Sequence, residues 1–151
     1  MKLSLLRTAL VLVAFGAVSH GAAETVTRSQ LPAAVEKTLA EQSKDATFRG
    51  IEKKSRDGKT VYEALLTIGG HNRDVLIDEK GAIVEFEDVI PFDTLPPAVR
   101  SGLQTAAGAG QIVKVEMITR SGKVAGYKAK VATGDKSFHI HVDAEGKPIA
   151  E

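Results

Sequence analysis

The residues best suited to chemistry lie near the C-terminal end of the chain. His139 and His141 are two positions apart, and Lys128 and Lys130 precede them by one hairpin length. Side chains alternate across a β-strand, so residues two apart share a face. If Gly134-Asp135 forms a two-residue hairpin turn, Lys130 stands opposite His139 and Lys128 opposite His141. All four then point away from the apolar set Tyr127, Ala129, Val131, Phe138, Ile140 and Val142. Such a patch has two uses. It can meet an acidic surface, more strongly once the imidazoles protonate below their reference pKa of about 6.5. It can also offer two imidazoles to one metal ion. The neighbouring lysines repel a cation, and no third ligand is evident. The same reasoning applied to Gly69-Gly70 places Leu65 opposite Asp74 and Glu63 opposite Leu76, a patch that is acidic and partly apolar.

Other chemistry is excluded motif by motif. There is no cysteine, so no thiol nucleophile and no disulfide framework. No G-x-S-x-G or H-E-x-x-H occurs. Gly108-Ala109-Gly110 lacks the Lys-Ser/Thr of a phosphate loop and reads as a helix stop. Asp78 and Asp143 begin D-x-x-G turns, where such a residue bonds its own backbone. Neither has the alternating oxygen ligands of a calcium loop. His71 falls in a turn, and Tyr62 and Tyr127 read as core residues. No pair of carboxylates is set apart by its surroundings for acid–base work. The expectation is a non-enzymatic protein with no catalytic residue, cofactor or assigned metal.

The N-terminus opens with Lys2 and Arg7, followed by the apolar run Leu10 to Val18 and the small residues Gly21, Ala22 and Ala23. This is the pattern of a secretory signal over residues 1–23, cut before Glu24. It predicts a periplasmic or secreted protein with no membrane span after cleavage. Removing Lys2 and Arg7 leaves 18 basic against 19 acidic residues. Near neutrality excludes a nucleic-acid binder of the usual strongly basic kind. The charge is uneven, however. Residues 31–88 carry nine basic and twelve acidic residues, a net of −3, and residues 95–151 carry eight and five, a net of +3.

The elements that must position these residues occur twice. Tyr62 to Val84 aligns without a gap on Tyr127 to Ile149, matching Gly69 with Gly134, Asp78 with Asp143 and Gly81 with Gly146. Each copy is preceded by a helical stripe, Leu31–Leu39 in LPAAVEKTLAEQ and Leu95–Leu103 in LPPAVRSGLQTAA. Thr94 is the expected N-cap of the second. Strand patterns follow at Thr47 to Lys54 and Gln111 to Ile118, and Lys147 to Ala150 reads as a last short strand. The division is a signal at 1–23, a flexible lead-in at 24–30, a first repeat at 31–88, a proline-rich linker at 89–94 and a second repeat at 95–151. The fold class is α+β, two tandem αβ4 repeats, each a helix packed on one face of a four-stranded antiparallel sheet; whether the two sheets join is not written in the sequence.

The twice-occurring order of LPxAV, turn, Tyr-led strand and D-x-x-G resembles the PepSY-like family grouped with the β-lactamase-inhibitor-like (BLIP-like) fold. The resemblance spans Leu31 to Glu151. It implies sheets that present a bare face able to grip another protein, such as a peptidase held in check, and carries over no catalytic residues. The inhibitor's cysteines are absent here. On this reading the chain binds another envelope or secreted protein, with an acidic surface, through Lys128, Lys130, His139, His141, Glu63, Leu65 and Leu76. The alternative is a small-ligand or metal-binding periplasmic module using His139 and His141.

Overall fold

A computed structural model describes residues 23–150. Residues 1–22 of the expected signal segment lie outside that range. Eight strands run in chain order across one antiparallel sheet. They are β1 (Glu24–Thr25), β2 (Thr47–Arg56), β3 (Lys59–Ile68), β4 (His71–Asp78), β5 (Ile83–Val89), β6 (Gln111–Arg120), β7 (Lys123–Thr133) and β8 (Lys136–Val142). Two helices, α1 (Ala33–Gln42) and α2 (Pro97–Ala107), cover one face of it.

This corrects the expectation of two separate αβ4 units. Strand β5 pairs with β6 over Phe86↔Thr119 to Val89↔Glu116, so the sheet runs on from the first half into the second. A sheet ended at β5 would leave a row of unpaired N–H and C=O groups, and continuing the ladder satisfies them. Three details differ with it. Val89, assigned to a linker, is the last residue of β5. Residues 147–150 form no strand; Pro148 makes a single bridge to Val142. Residues 24–30, read as a lead-in, lay β1 alongside β2 and form a 3-10 turn at Arg28–Gln30.

The helices begin after proline. Pro32 and Pro96 are the caps of α1 and α2, and Pro97 opens α2. Proline's fixed φ suits a first turn, whose N–H groups have no partner within the helix. Thr94 does not cap α2; its hydroxyl donates to Pro91 O at 2.7 Å within the preceding 3-10 turn (Phe92–Thr94). Gly108, at φ 57°, does end α2.

Each helix packs on its own apolar cluster. Val35 and Leu39 of α1 pack on Ile51, Tyr62, Ala64, Leu66, Val75 and Ile77 of the sheet. Val99 and Leu103 of α2, with Leu95 just before it, pack on Val115, Tyr127, Ala129 and Val142 of the sheet. The D-x-x-G turns dock on the helix starts. Asp78 Oδ1 accepts from the N–H groups of Lys80 and Ala82, and Asp143 Oδ1 from those of Glu145 and Lys147. Gly81 and Gly146 then meet the backbone of Ala34 and Ala98 so closely that a Cβ would fall 2.6 and 2.1 Å from their carbonyl oxygens. Among the described residues no helix is long and apolar enough to cross a membrane.

Candidate functional site: the open sheet face

The hairpin turns place the predicted residues in the expected register. Lys128 pairs with His141 and Lys130 with His139 across β7–β8. Glu63 pairs with Leu76 and Leu65 with Asp74 across β3–β4. With the apolar alternates committed to the helices, all of these point to the opposite, open face. No helix among the described residues lies over that face.

The β5–β6 seam changes what the face contains. It brings the first half's acids against the second half's bases. The rows across the sheet run Leu65–Asp74–Glu87–Ile118 and Val89–Glu116–Lys128–His141. Lys128 therefore does not belong to a free basic patch. It bonds to Glu87 and reaches Glu116 at 3.0 Å. Lys114 bonds to Glu116 at 2.6 Å, Arg56 to Glu85 at 2.7 Å, and Arg120 also to Glu85. On the first half, Lys54 links Glu63 with Glu52, and Arg49 reaches Asp74 at 3.0 Å. A β-bulge between Phe48 and Gly50 interrupts the regular alternation at Arg49, which also donates to Leu66 O.

These charges are layered. The side chains of Glu63, Asp74, Glu85, Glu87 and Glu116 are between 1% and 11% exposed. Those of Arg49, Lys54, Arg56, Lys114, Arg120 and Lys128 are between 15% and 51% exposed. Five carboxylates form the floor and cations most of the surface, with Glu52, 31% exposed beside Lys54, the exception. Val61, Leu76 and Ile118 lie buried beside the acids. Long cationic side chains suit such a roof, since their stems cover apolar ground while their heads stay wet.

Burial and charge divide the acids into two kinds. Burial pushes the Asp74 carboxyl up to about 6, helped by the charges of Glu63 and Glu116. Burial likewise pushes Glu87 up to about 7, against the pull of Lys128. Burial also acts on Glu85, but hydrogen bonds from Arg56, Glu87 and Arg120 outweigh it and hold that carboxyl below the usual range. At Glu116, burial is outweighed by Lys128 and Lys114, and its pKa is lowered. Lys128, between two carboxylates, stays charged despite its burial. Sequence reasoning places Glu63 and Asp74 on this face but misses Glu85, Glu87 and Glu116. The one available signal was the alternation of Glu85 and Glu87 in IVEFEDV, the mirror of Lys128 and Lys130 in YKAKV.

Glu63, Asp74 and Glu87 bring carboxylate oxygens within 4.8 Å of one another. Each already meets a cation, Lys54, Arg49 or Lys128. A metal ion would have to displace those side chains. His139 and His141 share the open face with Lys128 and Lys130, as the register requires. At one end of this face a groove of about 580 Å³ runs between the β2–β3 turn, Glu85 and Ile149. His141 lines it and His139 does not. Its charges balance, with Arg56, Lys59 and Arg120 against Asp57, Asp78 and Glu85.

With this geometry in hand, the solved structures supply the comparison. A DUF2874 family protein from Bacteroides ovatus superposes with a TM-score of 0.59 at 18% identity, over 80% of this chain and 85% of that one. A protein from Bacteroides eggerthii presumed to be periplasmic gives 0.61 at 18% identity, over 80% and 86%. A BLIP-like protein from Bacteroides fragilis gives 0.53 at 18% identity, over 78% and 82%. The chain has the fold of the DUF2874 and BLIP-like proteins. At these identities the likeness is one of fold. The sequence matches no protein-family model and no curated protein.

Proposed function

We propose that the protein is an exported, non-enzymatic module that binds another envelope or secreted protein through the open face of its sheet, and so regulates or inhibits it. The observation that carries this reading is the division of the sheet. One face is committed to two helices and two apolar clusters, while the other holds a polar array with cations outermost. A face that serves only solubility has no need of five buried carboxylates, because taking charge out of water is costly even when it is paired. Export is supported by the Lys2/Arg7, Leu10–Val18 and Gly21–Ala23 pattern, and by a structural relative presumed to be periplasmic. A PepSY-like regulator of a peptidase is the specific form the sequence resemblance suggests.

The test is capture from the envelope fraction of the organism that encodes the chain, using the C-terminally tagged full-length protein. One enriched partner, lost with Lys114→Gln/Arg120→Gln/Lys130→Gln on the open face and retained with Lys37→Gln on α1, supports the reading. A partner retained by the triple variant contradicts it.

A second reading, a small-ligand module, is favoured by the groove beside Glu85 and Ile149. In that case His141 rather than the His139–His141 pair contributes. A thermal shift with a small ligand that disappears in His141→Ala and persists in His139→Ala supports it.

A further inference from the structure

We propose that the open face takes an acidic segment of its protein partner, and that it takes it more tightly as the pH falls toward 5.5. This deepens the binding role proposed above and rests on it. The partner's chemistry follows from the layering. An approaching surface meets Arg120, Lys114 and Arg49 first, because the carboxylates beneath them are almost wholly buried, while Lys54 shares the surface with Glu52. The nearest charges dominate at contact, since Coulomb interactions weaken with distance and screening. An array close to neutral in formal charge therefore presents a positive surface.

The array is also built so that its cations can change partners. Arg120 shares Glu85 with Arg56, and Lys114 shares Glu116 with Lys128. Either outer cation can turn to a partner's carboxylate while the buried acid keeps its other bond. No buried charge is stranded, which is the expensive outcome.

The pH dependence arises at the seam. Facing Glu87 are Glu63 from β3, Asp74 from β4, Glu85 from its own strand, Glu116 from β6 and Lys128 from β7. Facing Asp74 are Glu63 from β3, Arg49 from β2, Glu87 from β5, and Glu116 and Lys114 from β6. His141 stands next to Lys128 on β8, with His139 beyond it. Crowding of carboxylates in low dielectric favours protonation of one or two of them in mild acid. Each proton taken up removes a negative charge from the floor and none from the surface. Arg49 and Lys128 then lose part of their internal attraction, and the positive field over the face grows.

The experiment uses the protein expressed with its own N-terminal segment and purified from the periplasmic fraction. A fluorescein-labelled oligoglutamate of twenty residues is titrated at pH 5.5, 6.5 and 7.5 in low salt, followed by anisotropy. Oligolysine and a single-stranded DNA of similar length are the comparison probes. The expected result is oligoglutamate binding at least tenfold tighter at pH 5.5 than at 7.5. Lys114→Gln/Arg120→Gln should weaken it at least tenfold, and Lys37→Gln should leave it unchanged. Glu87→Gln should bind at pH 7.5 nearly as tightly as the unaltered protein does at 5.5. Circular dichroism checks that each variant is folded; if the double variant is not, Lys114→Gln alone replaces it.

Absence of oligoglutamate binding overturns the acidic-partner assignment. So does equal binding of oligolysine, or tighter binding of DNA that survives the double variant. A pH dependence unchanged in Glu87→Gln overturns the seam as its source and points to the histidines. These failures are distinct from failure of the binding role. A captured envelope partner that excess oligoglutamate does not displace leaves that role standing and removes this inference alone.

Discussion

At the scale of single residues, Lys128 shows how one contact changes a role. Read from the sequence it is a surface cation waiting for a partner. In the fold it is the part-buried bridge between Glu87 and Glu116. Lys128→Ala would leave Glu87 without its cation and Glu116 with Lys114 alone, and should cost about 3 kcal/mol, whereas Lys130→Ala, opposite Lys114 and His139, should cost about 0.5 kcal/mol or less. Urea unfolding midpoints separate the two, and equal midpoints would show that the bridge does not form. Gly146 makes a second residue-scale case. It sits at φ 80°, with the Ala98 carbonyl where a side chain would go. Gly134, at φ 57°, has open space there. Gly134→Ala should therefore cost only the left-handed backbone penalty of about 1–2 kcal/mol. Gly146→Ala adds a backbone clash that must push the turn off α2, and its melting temperature should fall clearly further.

At the scale of elements, the β5–β6 seam governs how stability depends on pH. Asp74 and Glu87 hold protons in the folded chain, up to about 6 and about 7, that an unfolded chain has already released. Their folded pKa values are raised, so the native state binds more protons and stability falls as pH rises between about 4.3 and those values. Glu85 and Glu116 are lowered, so their contribution is present at neutral pH and is lost on acidification below about 4.3. The melting temperature should therefore be highest near pH 5 and fall by several degrees toward pH 7.5. Glu87→Gln should remove much of that fall. A melting temperature that climbs steadily to pH 7.5 would contradict the assignment of the buried protons.

The same seam marks the limit of what the sequence makes legible. Local signals carried well. Two-residue turns at Gly69-Gly70 and Gly134-Asp135 dictate register, and the pairs across both hairpins fall where they should. Alternation and helical spacing likewise divide the two faces. Pairing between the halves leaves no local trace, because β5 and β6 are joined through α2 rather than by a turn. The charge partners of Lys128 were hidden for that reason. Residues 147–150 look like a strand by composition, yet they follow the Asp143 turn with only Pro148 bridging Val142. Proline has no N–H for a ladder.

At the scale of the whole molecule, the uneven charge of the two halves is spent internally. The −3 and +3 portions of the chain meet along the middle of one sheet, and their carboxylates and cations stack into a floor and a surface. What faces outward, on the side opposite the helices, is a layer that is cationic except at Glu52. The direct test of that face as the binding surface is site-specific photocrosslinking in the source envelope. A photoreactive residue replaces Arg120 or Lys130 on the open face, or Lys37 or Arg100 on the helices. The account predicts a discrete protein adduct from the first pair and none from the second. Adducts formed only from the helix positions would contradict it.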